Sequence, residues 1–263
     1  MIDRMFSLED RVAVVTGGLG QLGRQFTTAL GSAGARVAVL DHREGSAADT
    51  DSLLHVRADV TDRASLERAV AVVEARWGPP HILINNAALD SSPDAPAGAN
   101  GPFEDYPVDL WRSVLDVNVT GVFLCCQVVG GRLAAAGRGS VINISSIYGL
   151  VAPDQRIYEY RRQAGDEFFK PAAYSASKSA LLNLTRYLAT YWAPKNVRVN
   201  TVSFAGVFNN QDPAFLQEYT RRVPLGRMAR EDEYNGAILF LASDASSYMT
   251  GANLVLDGGY TAW

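Results

Sequence analysis

Tyr174 and Lys178 stand four positions apart, a spacing that puts a phenol and an ammonium on one face of a helix. Ala173, Leu181, Leu184 and Leu188 supply the apolar stripe of such a helix. A phenol is ordinarily a poor base, with a pKa of ~10. An ammonium beside it favours phenolate, and a cationic ring nearby favours it further. The pair could then take a proton from an alcohol or return one to a carbonyl. By itself the spacing is common in helices of any function.

A second group of residues lies near the start, Thr16-Gly17-Gly18-Leu19-Gly20-Gln21-Leu22-Gly23. Gly18, Gly20 and Gly23 satisfy G-x-G-x-x-G. The turn joins an apolar run at 11–16 to the helical pattern Leu22, Phe26, Ala29, Leu30, Ala33. There, backbone N–H groups can approach a pyrophosphate at a helix N-terminus. Asp41 closes the next strand-like run, 18 residues after Gly23 (41 − 23). An acid at that place suits the ribose hydroxyls of an adenosine and repels a 2′-phosphate, favouring NAD over NADP. Arg43 works against that preference.

The elements that must hold these groups alternate along the chain. Strand-like runs at 11–16, 36–40, 53–57, 81–84, 140–144, 197–202 and 253–256 are separated by helical patterns, with no linker between them. That pattern implies one Rossmann-type α/β domain over 1–263, a doubly wound parallel sheet of about seven strands with helices on both faces. A long helix at 109–136 carries Asn118 as a polar exception. A Pro-, Gly- and Asp-rich loop at 90–107 is long for a compact domain, as functional loops are.

The composition fits: 263 residues, 48% hydrophobic and 20% charged, is ordinary for a globular chain. A net charge of -4 argues against nucleic acid or an anionic membrane surface as partner. Apolar runs are broken by charges or glycines before bilayer length, so no membrane span is expected. Residues 1–6 lack the apolar core of a signal peptide, and Cys125 and Cys126 read as small buried residues. A cytoplasmic protein without a catalytic metal is the expectation.

Over essentially its whole length the chain resembles the classical short-chain dehydrogenase/reductase family. The residues that carry the likeness are the glycine turn, Asp41, Asp59-Val60, Asn85-Asn86-Ala87, Asn118, Ser146, Tyr174 with Lys178, Asn200 and Asp257-Gly258-Gly259. The resemblance implies roles for them. Tyr174 is the general acid/base, Lys178 lowers its pKa and holds the nicotinamide ribose, and Ser146 donates to the substrate oxygen. Asn118 helps hold a relay water. Gly17, Gly20, Gln21, Leu22, Gly23, Asp41, Asp59, Val60, Asn86, Ala87 and Val207 contact NAD. Ser145 competes for the serine role, and the family pattern favours the second hydroxyl. Assembly as a homotetramer or dimer through 109–136, 173–192 and the last strand is likewise implied. The aromatic end Tyr260–Trp263 is expected either to be buried in a neighbouring subunit or to be a disordered tail.

Departures from the family pattern carry information. Gln21 stands where T-G-x-x-x-G-x-G wants glycine, and Gly17, Gly20 and Gly23 instead fit T-G-x-x-G-x-x-G. Phe204-Ala205 replaces the usual Pro-Gly ahead of the 204–228 substrate loop, and Asn209 stands where a threonine often touches the nicotinamide amide. Between Ser146 and Tyr174 lie 28 positions (174 − 146), about twice the family's usual span. The surplus, about 151–171, is expected either to wall the substrate, with Arg156, Arg161 or Arg162 pairing with an anionic group, or to be a solvated surface hairpin. The leading expectation is NAD-dependent oxidation of a secondary alcohol on a sugar, polyol or sugar acid. Alternatives are a 3-oxoacyl-thioester reductase using NADPH, and a non-catalytic NAD-binding sensor.

Overall fold

Val12-Ala13-Val14-Val15 has no polar alternation, so such a run needs cover on both faces, and the chain provides helices for both. The computed structural model describes residues 2–45, 48–90 and 99–263. Its strands are β1 (Val12–Thr16), β2 (Arg36–Asp41), β3 (Leu53–Arg57), β4 (Ile82–Asn85), β5 (Gly139–Ser146), β6 (Val197–Phe204) and β7 (Asn253–Leu256). They form one seven-stranded sheet in the order β3-β2-β1-β4-β5-β6-β7, all neighbours parallel. The doubly wound α/β sheet is therefore the one expected. Chain order reverses between β1 and β4, and their carboxyl ends open the crevice that such a reversal creates.

Among the described residues the helices covering the sheet are α1 (Gln21–Ser32), α2 (Arg63–Trp77), α3 (Val108–Ala135), α4 (Ala172–Trp192) and α6 (Asn235–Ala242), while α5 (Pro213–Thr220) packs beside Gln155–Tyr158. On one face Leu66, Val70, Val129, Leu188 and Trp192 pack onto Val14, Leu83, Val141 and Val199. On the other, Phe26, Leu30, Ile238 and Leu241 cover Val15, Ile84, Ile142 and Val202. A third, smaller core of Ile147, Ile157, Tyr158, Phe168, Tyr219, Met228 and Tyr260 joins the segment after β5, the segment after β6 and the C-terminus.

The structure corrects several expectations. Helix α3 is long and apolar enough, at mean hydropathy 1.6, to match a bilayer span by length and composition. Its apolar residues instead serve the core: Val122, Cys125, Cys126, Val129 and Leu133 are buried against the sheet, while Asp109, Arg112, Asp116 and Arg132 stay exposed. It is also not uniform, because Asp116–Gly121 and Cys126–Gly130 are wound as π-helix. Helix α6 starts at Asn235, after a turn in which Glu233 accepts from Arg227 and from the Arg230 N–H. Helix α5 and the short helix Ile2–Phe6 were not anticipated. In the tail, Tyr260 packs within its own chain and Trp263 is exposed. Of the 90–107 loop, residues 91–98 lie outside the described residues.

Candidate active site

The turn after β1 is tight for reasons visible atom by atom. Gly17 has φ +61°, and a Cβ there would lie 2.8 Å from the Ala87 Cα. A Cβ on Gly23 would lie 2.3 Å from the Gly17 carbonyl oxygen. Gly20 caps α1. The Asn86 side chain donates to the carbonyls of Thr16 (3.1 Å) and Gly17 (3.0 Å), tying β4 to the turn. Gly17, Gly20, Gln21, Leu22, Gly23, Asp41, Asp59, Val60, Asn86 and Ala87 line one cleft of about 500 Å³. An elongated dinucleotide fits this cradle, whose floor two missing Cβ atoms keep open.

At the far end of that cleft the Asp41 carboxylate accepts from the Leu19 N–H (3.1 Å) and from Arg43 Nε (3.0 Å) and Nη2 (3.2 Å). Burial works to raise this carboxyl, but the Arg43 and Leu19 hydrogen bonds outweigh it and hold it below the usual range. Asp59 is oriented by Thr61, whose N–H and hydroxyl both donate to it, at 2.9 and 2.7 Å. Gln21 reaches over the cleft and donates to the Phe208 carbonyl at 3.1 Å. The residue that departs from the glycine pattern thus tethers the substrate loop to the turn.

A second cavity of about 320 Å³ adjoins the first and shares Leu22, Asn86 and Ala88 with it. Ser146, Tyr174, Lys178 and Val207 line it. The Ser146 hydroxyl accepts from the Tyr148 N–H at 3.2 Å and stands close enough to the Tyr174 phenol to work toward lowering its pKa. Ser145 donates instead to the Lys178 backbone carbonyl at 2.9 Å, which leaves Ser146 as the serine facing the phenol. Lys178 Nζ donates to the Ile144 carbonyl at 2.8 Å and lies 5.8 Å from the Tyr174 ring centre. Burial lowers the Lys178 ammonium to about 8, with the Asp90 carboxylate acting the other way. Burial and Asp90 push the Tyr174 phenol above its ordinary value, against the Ser146 hydrogen bond. Burial thus outweighs the hydroxyl beside the phenol, and Lys178, 5.8 Å from the ring centre, is not among the groups that shift it.

Asn118 also braces the fold. Its Oδ1 accepts from the Leu89 N–H (2.7 Å), and its Nδ2 donates to the Leu89 carbonyl (2.9 Å) and to Ser177 (3.0 Å). Those bonds clamp the chain leaving β4 onto α4, so its side chain positions Asp90 next door. The π-helical turn in which it sits is a winding often found at functional sites.

The surplus 151–171 is neither a hairpin nor an arginine-lined wall. It forms two short helical turns, Gln155–Tyr158 and Glu159–Gln163, and buries Ile157, Tyr158 and Phe168. Among the residues lining the cavity, Arg156, Arg161, Arg162 and Asn209 are absent. Arg156 pairs with Asp154, and Arg161 pairs with Asp166 and stacks on Phe168 at 4.0 Å. Arg162 pairs with Glu159 and donates to the carbonyls of Phe168 and Gln155, both at 2.8 Å. Local carboxylates were close enough to claim each guanidinium first. Asn209 is exposed.

What the segment does send inward is Tyr158 and Lys170, which line the cavity with Asp90, Gln211, Phe215 and Tyr219. None of these was singled out in the sequence. For Lys170 a signal existed, since 170, 174 and 178 recur every four residues. Two phenols replace the missing Pro-Gly: Tyr219 accepts from the Gly206 N–H (2.7 Å) and Tyr234 donates to the Ala205 carbonyl (3.0 Å).

A dinucleotide cleft opening onto a serine, a tyrosine and a lysine defines a pyridine-nucleotide oxidoreductase. Residues 20–261 match the family profile described as enoyl-(acyl carrier protein) reductase. A D-threitol dehydrogenase of Mycolicibacterium smegmatis is 34% identical, over 99% of this chain and 96% of the relative. A short-chain dehydrogenase of Leptospira borgpetersenii, solved with bound NAD+, is 34% identical with a TM-score of 0.85, covering 96% of this chain and 93% of that one. A gluconate 5-dehydrogenase of Burkholderia cenocepacia, in complex with NADP and tartrate, is 29% identical with a TM-score of 0.86 over the whole of both chains. The chain belongs to the short-chain dehydrogenase/reductase family and is an NAD(P)-dependent oxidoreductase acting on CH–OH groups.

Proposed function

We propose that this enzyme uses NAD to oxidise a secondary alcohol of a small polyol or sugar-like substrate, or runs the reverse reaction. The observation that carries the reading is that Ser146, Tyr174 and Lys178 meet in a small cavity contiguous with the dinucleotide cleft. When bound, NAD+ supplies the hydride acceptor. The chain's part is the proton: Tyr174 takes it from the substrate hydroxyl, Ser146 holds the same oxygen, and Lys178 anchors the ribose side. The positive charge of the oxidised ring supports the acidification of Tyr174 that the chain alone does not provide. Buried Asp41 at the ribose end supports NAD, and Arg43 on its carboxylate leaves NADP as the weaker substrate. The threitol relative, and the Asp90, Lys170 and Gln211 side chains on the cavity wall, support a polyol over an acyl thioester. The exposed strip of Phe123, Tyr187 and Tyr191 on α3 and α4 supports assembly into a homotetramer or dimer.

The experiment is NADH formation with a panel of polyols, sugars and sugar acids. Tyr174→Phe should lower kcat/KM by about 1000-fold while leaving NAD+ affinity within about 3-fold. Unchanged turnover in that variant would remove Tyr174 from the reaction.

A further inference from the structure

The cavity beside Tyr174 contains an ion pair, Lys170 with Asp90, to which the proton transfer above assigns no step. We infer that Lys170 and Asp90 together read a second hydroxyl, on the carbon next to the one oxidised, so that the site selects a neutral vicinal diol. The inference rests on the alcohol-oxidising reading above and deepens it.

Placement comes first. Both side chains line the same cavity as Ser146 and Tyr174. Lys170 Nζ pairs with the Asp90 carboxylate and lies 4.8 Å from the centre of the Tyr174 ring. A substrate whose carbinol oxygen meets Ser146 and Tyr174 therefore carries its neighbouring carbon toward this pair.

The pair is also held in place. Gln155 donates to the Lys170 carbonyl (3.0 Å) and accepts from the Lys170 N–H (2.9 Å), so one side chain grips both backbone groups. Arg162 in turn holds the carbonyl of Gln155. On the other side, Asn118 fixes Leu89, the residue before Asp90. One arginine of the added segment, Arg162, thus helps to present a lysine.

The chemistry then selects the ligand. The Lys170 ammonium offers only donors, and a carboxylate offers only acceptors. A hydroxyl can accept from the one and donate to the other, so a diol meets both. An apolar carbon in the same place strips water from the pair and returns no hydrogen bond, the situation in which sites reject an analogue lacking a hydroxyl. A substrate carboxylate would match Lys170 but crowd Asp90, a like charge. The side-chain exposures, 9% for Lys170 and 49% for Asp90, put the carboxylate where an entering hydroxyl can reach it.

Three matched probes test this with NAD+ and the purified full chain: cyclohexanol, cis-cyclohexane-1,2-diol and 2-hydroxycyclohexanecarboxylate. In the wild type, kcat/KM for the diol should exceed that for cyclohexanol by about 100-fold. Lys170→Met and Asp90→Asn should collapse the diol-to-monoalcohol ratio toward one, mainly by raising KM for the diol. Lys170→Arg, which keeps the charge, should recover part of the ratio, and melting temperature and NAD+ affinity report whether each variant folds. A ratio that stays fixed while both rates fall would make the pair merely structural and overturn the inference, as would a preference for the hydroxy acid. No NADH from any probe would defeat the alcohol-oxidation reading and the inference together; NADH without diol preference would defeat the inference alone.

Discussion

The cofactor cleft and the substrate cavity share Leu22, Asn86 and Ala88, yet they are made by opposite means. The cleft is local and mostly backbone: one turn between β1 and α1, kept open by missing Cβ atoms, with Asp41 a strand away. The cavity is assembled from residues scattered from Leu22 to Met228 and held by side chains: stacked tyrosines, arginine braces and a gripping glutamine. A backbone device tolerates few residue types at its key positions. A side-chain device can be rebuilt without disturbing the sheet beneath it.

If that contrast is right, damage to the turn should fall on the cofactor and damage to the third core on the substrate. The largest effect is expected for Gly23→Ala, whose Cβ would sit 2.3 Å from the Gly17 carbonyl oxygen. Something must shift, and displacements of about 1 Å in such sites can cost about 100-fold. NAD+ affinity by fluorescence titration should fall by that order. The cavity keeps its lining, so a variant that bound NAD+ normally but lost substrate affinity would reverse the contrast.

Both devices stand on the sheet, and a pH titration tests that common base. His81, at the amino end of β4, accepts from the Val12 N–H through Nδ1 at 3.1 Å. Burial, then the Arg138 and Arg11 charges, lower its pKa to about 4. The unfolded chain binds a proton near 6.5, so between the two values it holds more protons than the folded one. This contribution is complete above pH ~6.5 and is lost as the pH falls toward 4, on the order of 2 to 3 kcal/mol. Urea unfolding at pH 7 and pH 4.5 should show the loss in wild type and less of it in His81→Gln. Equal losses would place the acid sensitivity elsewhere.

A smaller effect, confined to the substrate side, is expected for Tyr219→Phe. Its phenol accepts from the Gly206 N–H, and removing it leaves a partly buried donor without that partner, worth about 1 to 2 kcal/mol. KM for the alcohol should rise by about 10-fold, with NAD+ affinity unchanged. A comparable loss of NAD+ affinity would show that the loop after β6 belongs to the cofactor's half.

The same contrast explains what could be read in advance. Alternating apolar runs and helical stripes gave the sheet, and the glycines with Asp41 gave the cleft, because both depend on neighbours in sequence. Ser146, Tyr174 and Lys178 sit on β5 and α4, elements whose direction follows from pattern. Lys170 and Asp90 are 80 residues apart, and no local pattern says that they meet. The arginines were misjudged because composition shows a guanidinium but not which carboxylate claims it. Lys178's hydrogen bond to Ile144 was hidden for the same reason, as was the burial that raises the Tyr174 phenol.

The smallest effect is the sharpest check on the misjudged arginines. Arg156 is exposed, and its guanidinium forks onto Asp154 with two contacts of 2.9 Å. Asp154 has a second partner in Arg222, at 2.8 Å, so the carboxylate remains paired when Arg156 is gone. Exposed pairs of this kind contribute little, because water screens them. Arg156→Ala should therefore leave KM within about 2-fold for neutral and acidic substrates alike, with the urea midpoint unmoved. Arg222→Ala should cost more, because Arg222 ties the added segment to α5 and its following turn, also pairing with Glu218. A large rise in KM for acidic substrates alone in Arg156→Ala would mean that the arginine leaves Asp154 and enters the cavity during turnover. In that case the added segment would act as a moving wall rather than a braced platform for Lys170.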